Sequence, residues 1–214
     1  MRTFLRIILA CAILATPVCL SAKNDDGSYT QKELKNFDKQ AQKESKTKAK
    51  QDQKEGWKFN GSTSLQMKIY KHLLKLDDYG GSMLELIGNA NDFRSISLGG
   101  TSARMDAIRK YAQECRLALK EKIEGLNSAL TDDQREKLID GYEARVAQEL
   151  SGELKLSYEL YKQTKDSKYD VTVYYLVDEE GAKKAKIRAL QAEAEITKIT
   201  TEIANEISKF VNEE

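Results

Sequence analysis

The chain has 214 residues, with 35 lysines and arginines against 34 acidic residues and a single histidine. This length favours one domain with an appended segment. The near-zero net charge excludes the strongly basic profile typical of nucleic-acid binding, so we expect no nucleic-acid partner. One histidine cannot form a histidine-based metal cluster within one chain, and we expect neither a metal site nor a cofactor.

The first 22 residues have the pattern of a secretory signal peptide. Arg2 and Arg6 precede an almost wholly apolar run over residues 7–20, and Ala22 lies at the boundary with a polar sequence. A membrane span is the rival interpretation, but the apolar run is shorter than the ~20 residues that spanning requires. We therefore predict cleavage near Ala22 and an exported protein.

Lipid anchoring is a separate possibility, at Cys11 or Cys19. Residues 8–11 match a lipobox in part, but Cys11 precedes the end of the apolar run, and the residues before Cys19 match poorly. We favour a soluble or peripherally membrane-associated protein of the periplasm or outer membrane face, with a lipoprotein as the alternative. Cleavage lowers the formal net charge from +1 to −1 and leaves Cys115 as the sole cysteine, so no intrachain disulfide is expected.

Residues 23–56 form a polar, charged arm with few large apolar side chains. Leu34, Phe37 and Ala41 have helical spacing, but Glu44 does not continue an apolar stripe. We predict a mobile linker or a weak helix here. A spacer that holds the domain away from a membrane or partner is the functional alternative.

The folded domain is predicted to span residues 57–178, and it opens with an amphipathic helix. The stripe of that helix is Leu65, Ile69, Leu73 and Leu76. His72 lies in the same helix and is predicted to be at the surface or half-buried, because the sequence shows no partner for it.

A short strand is predicted next, over residues 93–98, where apolar and polar residues alternate. Gly99 and Gly100 follow it and predict a tight turn into a helix. A phosphate-binding loop is the sharper interpretation, but the segment lacks both the G-x-G-x-x-G pattern and a G-K-[ST] ending.

Two long helices follow in the sequence. The first has an apolar face made by Ile108, Ala112, Cys115, Leu119 and Ile123. The second begins after Thr131, which forms a capping box with Gln134. Its buried stripe is Leu138, Tyr142, Val146 and Leu150.

Residues 154–160 and 169–177 alternate in polarity and predict an antiparallel hairpin with one face on a core and one face more exposed. We predict an α+β fold in which helices cover one face of a small antiparallel sheet. Tyrosines cluster in the hairpin, and sheet packing is the default interpretation. The alternative is a small-ligand or glycan platform formed by Tyr158, Tyr161, Tyr174 and Tyr175.

Residues 179–214 predict a long C-terminal amphipathic helix, running to about residue 212, with near-heptad spacing of its apolar residues. The first half of this seam is alanine, and the second half is larger. The larger residues are Ile196, Ile199, Ile203, Ile207 and Phe210. They pack on their own domain, or they bind a protein partner or a second copy; the spacing leaves both open.

The titratable residues do not predict catalysis. Cys115 lies on an apolar helix face, and its only possible histidine partner, His72, is on another helix. The acidic pairs at residues 132–133 and 179–180 begin helices, where capping and the helix dipole account for them. We therefore expect no enzymatic activity.

One region resembles a known family. It comprises the strand ending at Gly99 and Gly100, the Ala-rich helix over residues 105–119, a second helix, and the closing strand over residues 171–177. In this order it is similar to the LPP-twenty type lipoprotein family and to the N-terminal domain of the flagellar assembly protein T, over about residues 85–190. The resemblance implies a small, non-catalytic α+β envelope protein and transfers no site residues.

These observations predict an exported bacterial cell-envelope protein that acts by protein–protein interaction, through the C-terminal helix. A ligand-binding or glycan-binding module using the hairpin tyrosines is the alternative.

Overall fold

The computed structural model describes residues 29–125 and 130–198, which form five α-helices and a four-stranded antiparallel sheet. The predicted α+β class is confirmed. In chain order the elements are α1 (Gln31–Lys54), β1 (Lys58–Phe59), α2 (Leu65–Leu73), a 3-10 turn (Asp77–Tyr79), β2 (Met83–Phe93), α3 (Ile96–Gly125), α4 (Asp132–Leu150), β3 (Lys155–Gln163), β4 (Tyr169–Asp178) and α5 (Glu179–Ile196). The predicted signal peptide at residues 1–22 lies outside the described residues. None of the described helices is long and apolar enough to cross a membrane.

The sheet has the strand order β1-β3-β4-β2. The predicted hairpin is β3 and β4, and β4 also pairs antiparallel with β2 along most of its length, with Ile87 opposite Tyr174. Residues 171–177 of β4 are all buried. A strand buried on both faces reads as a continuous apolar run, which is why its alternation in the sequence is weaker than that of β3.

One face of the sheet packs against α3, with α4 and α5 layered beside it. Odd-numbered residues of β4 meet small residues of α3, and each fully buried valine stabilises the fold by on the order of 1.5 kcal/mol. The cluster on this face comprises Leu86, Ala90, Ala103, Ala107, Leu150, Val171, Val173, Tyr175, Val177 and Ala182.

Small residues bring α3 unusually close to this face. A Cβ added to Gly88 of β2 would lie 1.7 Å from the carbonyl oxygen of Ala103, and one added to Gly99 would lie 2.5 Å from Cγ2 of Val171. Gly99 and Gly100 lie within the first two turns of α3, which starts at Ile96. The predicted turn was therefore wrong, and the glycine pair permits a close helix–sheet approach instead.

The strand predicted over residues 93–98 was also wrong. β2 starts ten residues earlier, at Met83, and ends at Phe93 after an irregularity in its pairing with β4. Asp92, inside that irregularity, has a φ of 63°. The alternation that predicted a strand instead falls on the end of β2 and the start of α3.

The packing of α3, α4 and α5 follows the predicted stripes. Thr131 accepts the backbone N–H of Gln134, whose side chain accepts the N–H of Thr131, so the predicted capping box is confirmed. The buried cluster that joins the three helices comprises Ala112, Cys115, Leu119, Ile123, Leu130, Leu138, Ile139, Tyr142, Val146, Ala189 and Leu190.

The other face of the sheet is covered by α1 and α2, and here the interpretation as a linker differs from the structure. Residues 31–54 form a 24-residue helix that starts with a capping box at Thr30. Its buried positions are Ala41, Ser45, Ala49 and Asp52. Because these residues are small or polar, the segment shows no apolar stripe, yet they allow α1 to lie close to α2 and, at Ala49, to the sheet. The helices therefore cover more of the sheet than the single predicted face.

The C-terminal helix is shorter in the described residues than predicted. α5 ends at Ile196 with Thr197 as its C-cap, and Lys198 adopts a left-handed φ of 54°. Such a conformation ends a helix. Ala182, Ala185 and Ala189 of the predicted seam are buried, so the alanine half packs on the domain itself.

Candidate functional site

The four tyrosines proposed as a ligand platform do not share an open surface. Tyr158 and Tyr174 stack face to face with ring centroids 4.2 Å apart, beneath α1 and α2, and both are buried. Tyr175 is buried on the opposite face of the sheet, against α3, and Tyr161 is half-buried beside Tyr169. These four residues therefore do not form the predicted ligand platform.

A buried polar cluster surrounds the stacked tyrosines. His72 is only 1% exposed, so its predicted surface or half-buried location was wrong. Its Nε2 lies 2.6 Å from Oε1 of Glu85, and its ring meets Tyr158 and Tyr174 edge-on. Lys48 of α1 donates to the hydroxyl of Tyr174 at 3.1 Å. These contacts join α1 and α2 to three strands.

The electrostatics of this cluster follow from its burial. Burial raises the pKa of Asp52, although Lys48 one turn away opposes the shift. Burial also raises the pKa of Tyr158, so its hydroxyl stays protonated at neutral pH. Burial alone would lower the pKa of Lys48, but the contact with Tyr174 and the nearby charges of Asp52 and Glu85 together outweigh it, and the pKa is raised. Lys48 therefore stays charged and serves as a clamp between α1 and β4.

Two further contacts secure α1. Tyr70 of α2 donates its hydroxyl to Asp38, and Tyr79 of the 3-10 turn donates to Glu44. Burial, with the bond to Glu44, raises the pKa of Tyr79. The polar groups on this side of the sheet thus hold the helices in place.

The structure does not bring together the residues weighed as a nucleophile and base. Cys115 is buried in the core between α3 and α4, and His72 lies on the far side of the sheet. Within residues 29–125 and 130–198, no three His, Cys, Asp or Glu side chains are grouped closely enough to hold a metal ion.

An open groove with an apolar floor runs between α3 and α4, and the sequence reasoning missed it. It encloses about 550 Å³. Its floor is formed by Met105, Ile108, Ala112, Ala144 and Ala147. Met105 is 65% exposed, whereas Ile108 and Ala112 are buried beneath it. The signal in the sequence was the pair of alanines on α4, outside the predicted buried stripe of that helix.

Charged side chains pair with one another along the rim of the groove. Arg116 contacts Asp140 at 2.8 Å and Glu143 at 3.2 Å, which spans α3 and α4. Asp106 pairs with Arg109 on the next turn of α3 and accepts the backbone N–H of Asn89. These charged side chains would therefore keep their partners if another molecule covered the floor of the groove.

The larger residues of the predicted partner-binding stripe lie mostly beyond the described part of the chain. Ile196, the first of them, is 62% exposed at the end of α5. Ile199, Ile203, Ile207 and Phe210 lie outside the described residues.

Comparison of the chain with known protein families, with curated proteins and with solved structures found no match. The resemblance to the LPP-twenty type lipoproteins and the flagellar assembly protein T domain stays a prediction.

Proposed function

We propose that this chain is an exported cell-envelope protein that acts by protein–protein contact and not by catalysis. The observation that carries the proposal is the open apolar groove between α3 and α4, with Met105 65% exposed on its floor. Covering such a groove removes apolar side chains from water, which would stabilise a contact with a partner.

Three features support a contact surface over a reaction site. The floor carries only aliphatic and thioether side chains, which offer no nucleophile or base. The rim carboxylates Asp140 and Glu143 are both engaged by Arg116. A groove between two packed helices is a type of surface on which a third amphipathic helix docks, by inserting apolar residues at helical spacing.

The first 22 residues support the envelope location. The basic start, the apolar run and the small residue at Ala22 together predict export and cleavage. Mass measurement of the protein recovered from the envelope of an expressing bacterium should give a chain that begins at Lys23. A chain retained in the cytoplasm with Met1 in place would contradict this part of the proposal.

The contact function is tested by sedimentation of the labelled protein in an envelope extract. Ala144→Arg places a long cation over the exposed floor without disturbing the core. Gln191→Arg is the matched control, because it makes a comparable change at an exposed position of α5. We expect the wild type and Gln191→Arg to sediment as larger species and Ala144→Arg to sediment mostly as the free chain.

The control fixes what each result means. Equal sedimentation of Ala144→Arg and the wild type, with unchanged circular dichroism, would contradict the groove as the contact surface. Loss of large species in both variants would also contradict it, since an effect of added charge alone would then explain the result.

A further inference from the structure

The groove and the predicted C-terminal stripe match in length. The groove extends along α3 from Ser102 to Ala112, which is about 15 Å at the helical rise of 1.5 Å per residue. A helix over the stripe from Ile199 to Phe210 would cover about 16 Å by the same rise. An amphipathic helix of that length would place three or four large apolar side chains along the floor.

α5 packs against the side of α4 that faces away from the groove of the same chain. Glu193 of α5 contacts Arg145 and lies against Gly141, and Arg188 contacts Glu149. The groove is lined instead by α4 residues such as Ala144. At 100° per residue, the two sets of α4 residues lie roughly 150° apart around the helix axis.

The chain must therefore pass around α4 before it reaches its own groove. A helix with its side chains is about 10 Å wide, and an extended chain covers about 3.3 Å per residue, so roughly three residues are needed. Those are residues 199–201, which removes Ile199 from the stripe. A second copy can present the whole stripe from Ile199 onward without this loss.

We propose that the α3–α4 groove of one copy binds the C-terminal segment, residues 199–214, of a second copy. The proposal rests on the proposed function, because it names the occupant of the same contact surface. Each copy carries one groove and one stripe, so two copies can exchange segments reciprocally and close a two-fold dimer. Lys198, whose left-handed backbone follows the end of α5, immediately precedes this segment in the sequence.

Disulfide trapping tests this exchange, using two variants that each carry one added cysteine in a background with Cys11, Cys19 and Cys115 replaced by alanine. Met105→Cys places a thiol on the exposed floor, and Ile207→Cys places one in the middle of the stripe. The two proteins, each expressed with its own first 22 residues and purified, are mixed under mild oxidation. The matched control mixes Gln191→Cys, exposed on α5, with Ile207→Cys. We expect about tenfold more cross-linked heterodimer from the first mixture, because docking raises the effective concentration of the two thiols.

Each other result overturns the proposal. Equal cross-linking of the two mixtures would show collision without docking. Absence of heterodimer from the first mixture would exclude exchange, and the double variant Met105→Cys/Ile207→Cys then shows whether a cross-linked monomer forms within one chain. If these tests fail while Ala144→Arg still abolishes large species in the extract, the exchange is wrong and the proposed function stands. If Ala144→Arg also has no effect, both the exchange and the proposed function are wrong.

Discussion

Replacement of Gly88 by alanine tests the close packing of α3 on the sheet. The added Cβ would lie 1.7 Å from the carbonyl oxygen of Ala103 and 3.0 Å from the backbone nitrogen of Ala107. Both contacts are with helix backbone, which cannot rotate away as a side chain can. α3 must therefore shift as a body, and this disturbs the packing of Val173 and its neighbours on the same face. Overpacking of a core costs about 1–3 kcal/mol, and we expect Gly88→Ala to lie at the upper end, at about 3 kcal/mol.

Urea denaturation followed by circular dichroism measures this cost as a change in the free energy of unfolding. For a chain of this size the expected loss corresponds to a fall in melting temperature of ~6–12 °C. Gly152→Ala is the control, because a Cβ there meets nothing within 4 Å. It should leave the free energy of unfolding within ~0.5 kcal/mol of the wild type. Equal stability of the two variants would refute the close approach of α3 to β2.

Three further predictions concern stability. Thr131→Ala removes the capping box with Gln134 and should lower the free energy of unfolding by about 1 kcal/mol in urea denaturation, whereas no change would contradict the cap. His72→Ala should cost about 3 kcal/mol in the same assay, since it leaves a cavity and removes the partner of Glu85, and a loss below ~0.5 kcal/mol would count against the buried cluster. The pKa of Asp52 is raised by burial, so its ionisation in the folded state costs stability as the pH rises above the pKa of the unfolded chain. Asp52→Asn should therefore be more stable than the wild type at pH 7 and lose that advantage near pH 3; a variant less stable than the wild type at pH 7 would contradict the sign.

Much of the fold was predictable because its signals are local. The capping box at Thr131 lies within four residues, and the stripe of α3 repeats over several helical turns. The hairpin of β3 and β4 carries β-branched and aromatic residues around a polar turn. Each of these patterns depends on neighbours in the chain, so the sequence alone predicts them.

The errors arose where tertiary contacts decide the structure. α1 buries Ala41, Ser45 and Ala49, which are small residues that mark a close contact only when the opposing surface is known. Gly99 predicted a turn, but the space it leaves is filled by Val171 of β4, far along the chain. His72 is buried because Glu85 of β2 supplies its partner, and nothing in the sequence predicted that pairing.

The candidate site was likewise predicted only in its local part. The stripe from Ile196 to Phe210 was visible as near-heptad spacing. The groove that we propose as its partner is formed by Met105 of one helix and Ala144 of the next, which the sequence does not show to be adjacent. Neither residue belongs to a predicted buried stripe, and their position outside those stripes was the only local sign of the groove.

The most direct test of the central claim is the alkylation rate of Met105→Cys in the purified chain at increasing protein concentration, with Gln191→Cys as the reference thiol and with Cys11, Cys19 and Cys115 replaced by alanine in both. A covered groove predicts that the thiol at position 105 reacts about tenfold more slowly than the reference at high concentration, and that the two rates converge on dilution. Equal rates for the two thiols at every concentration, and also after addition of envelope extract, would contradict the claim that this protein acts through the groove between α3 and α4.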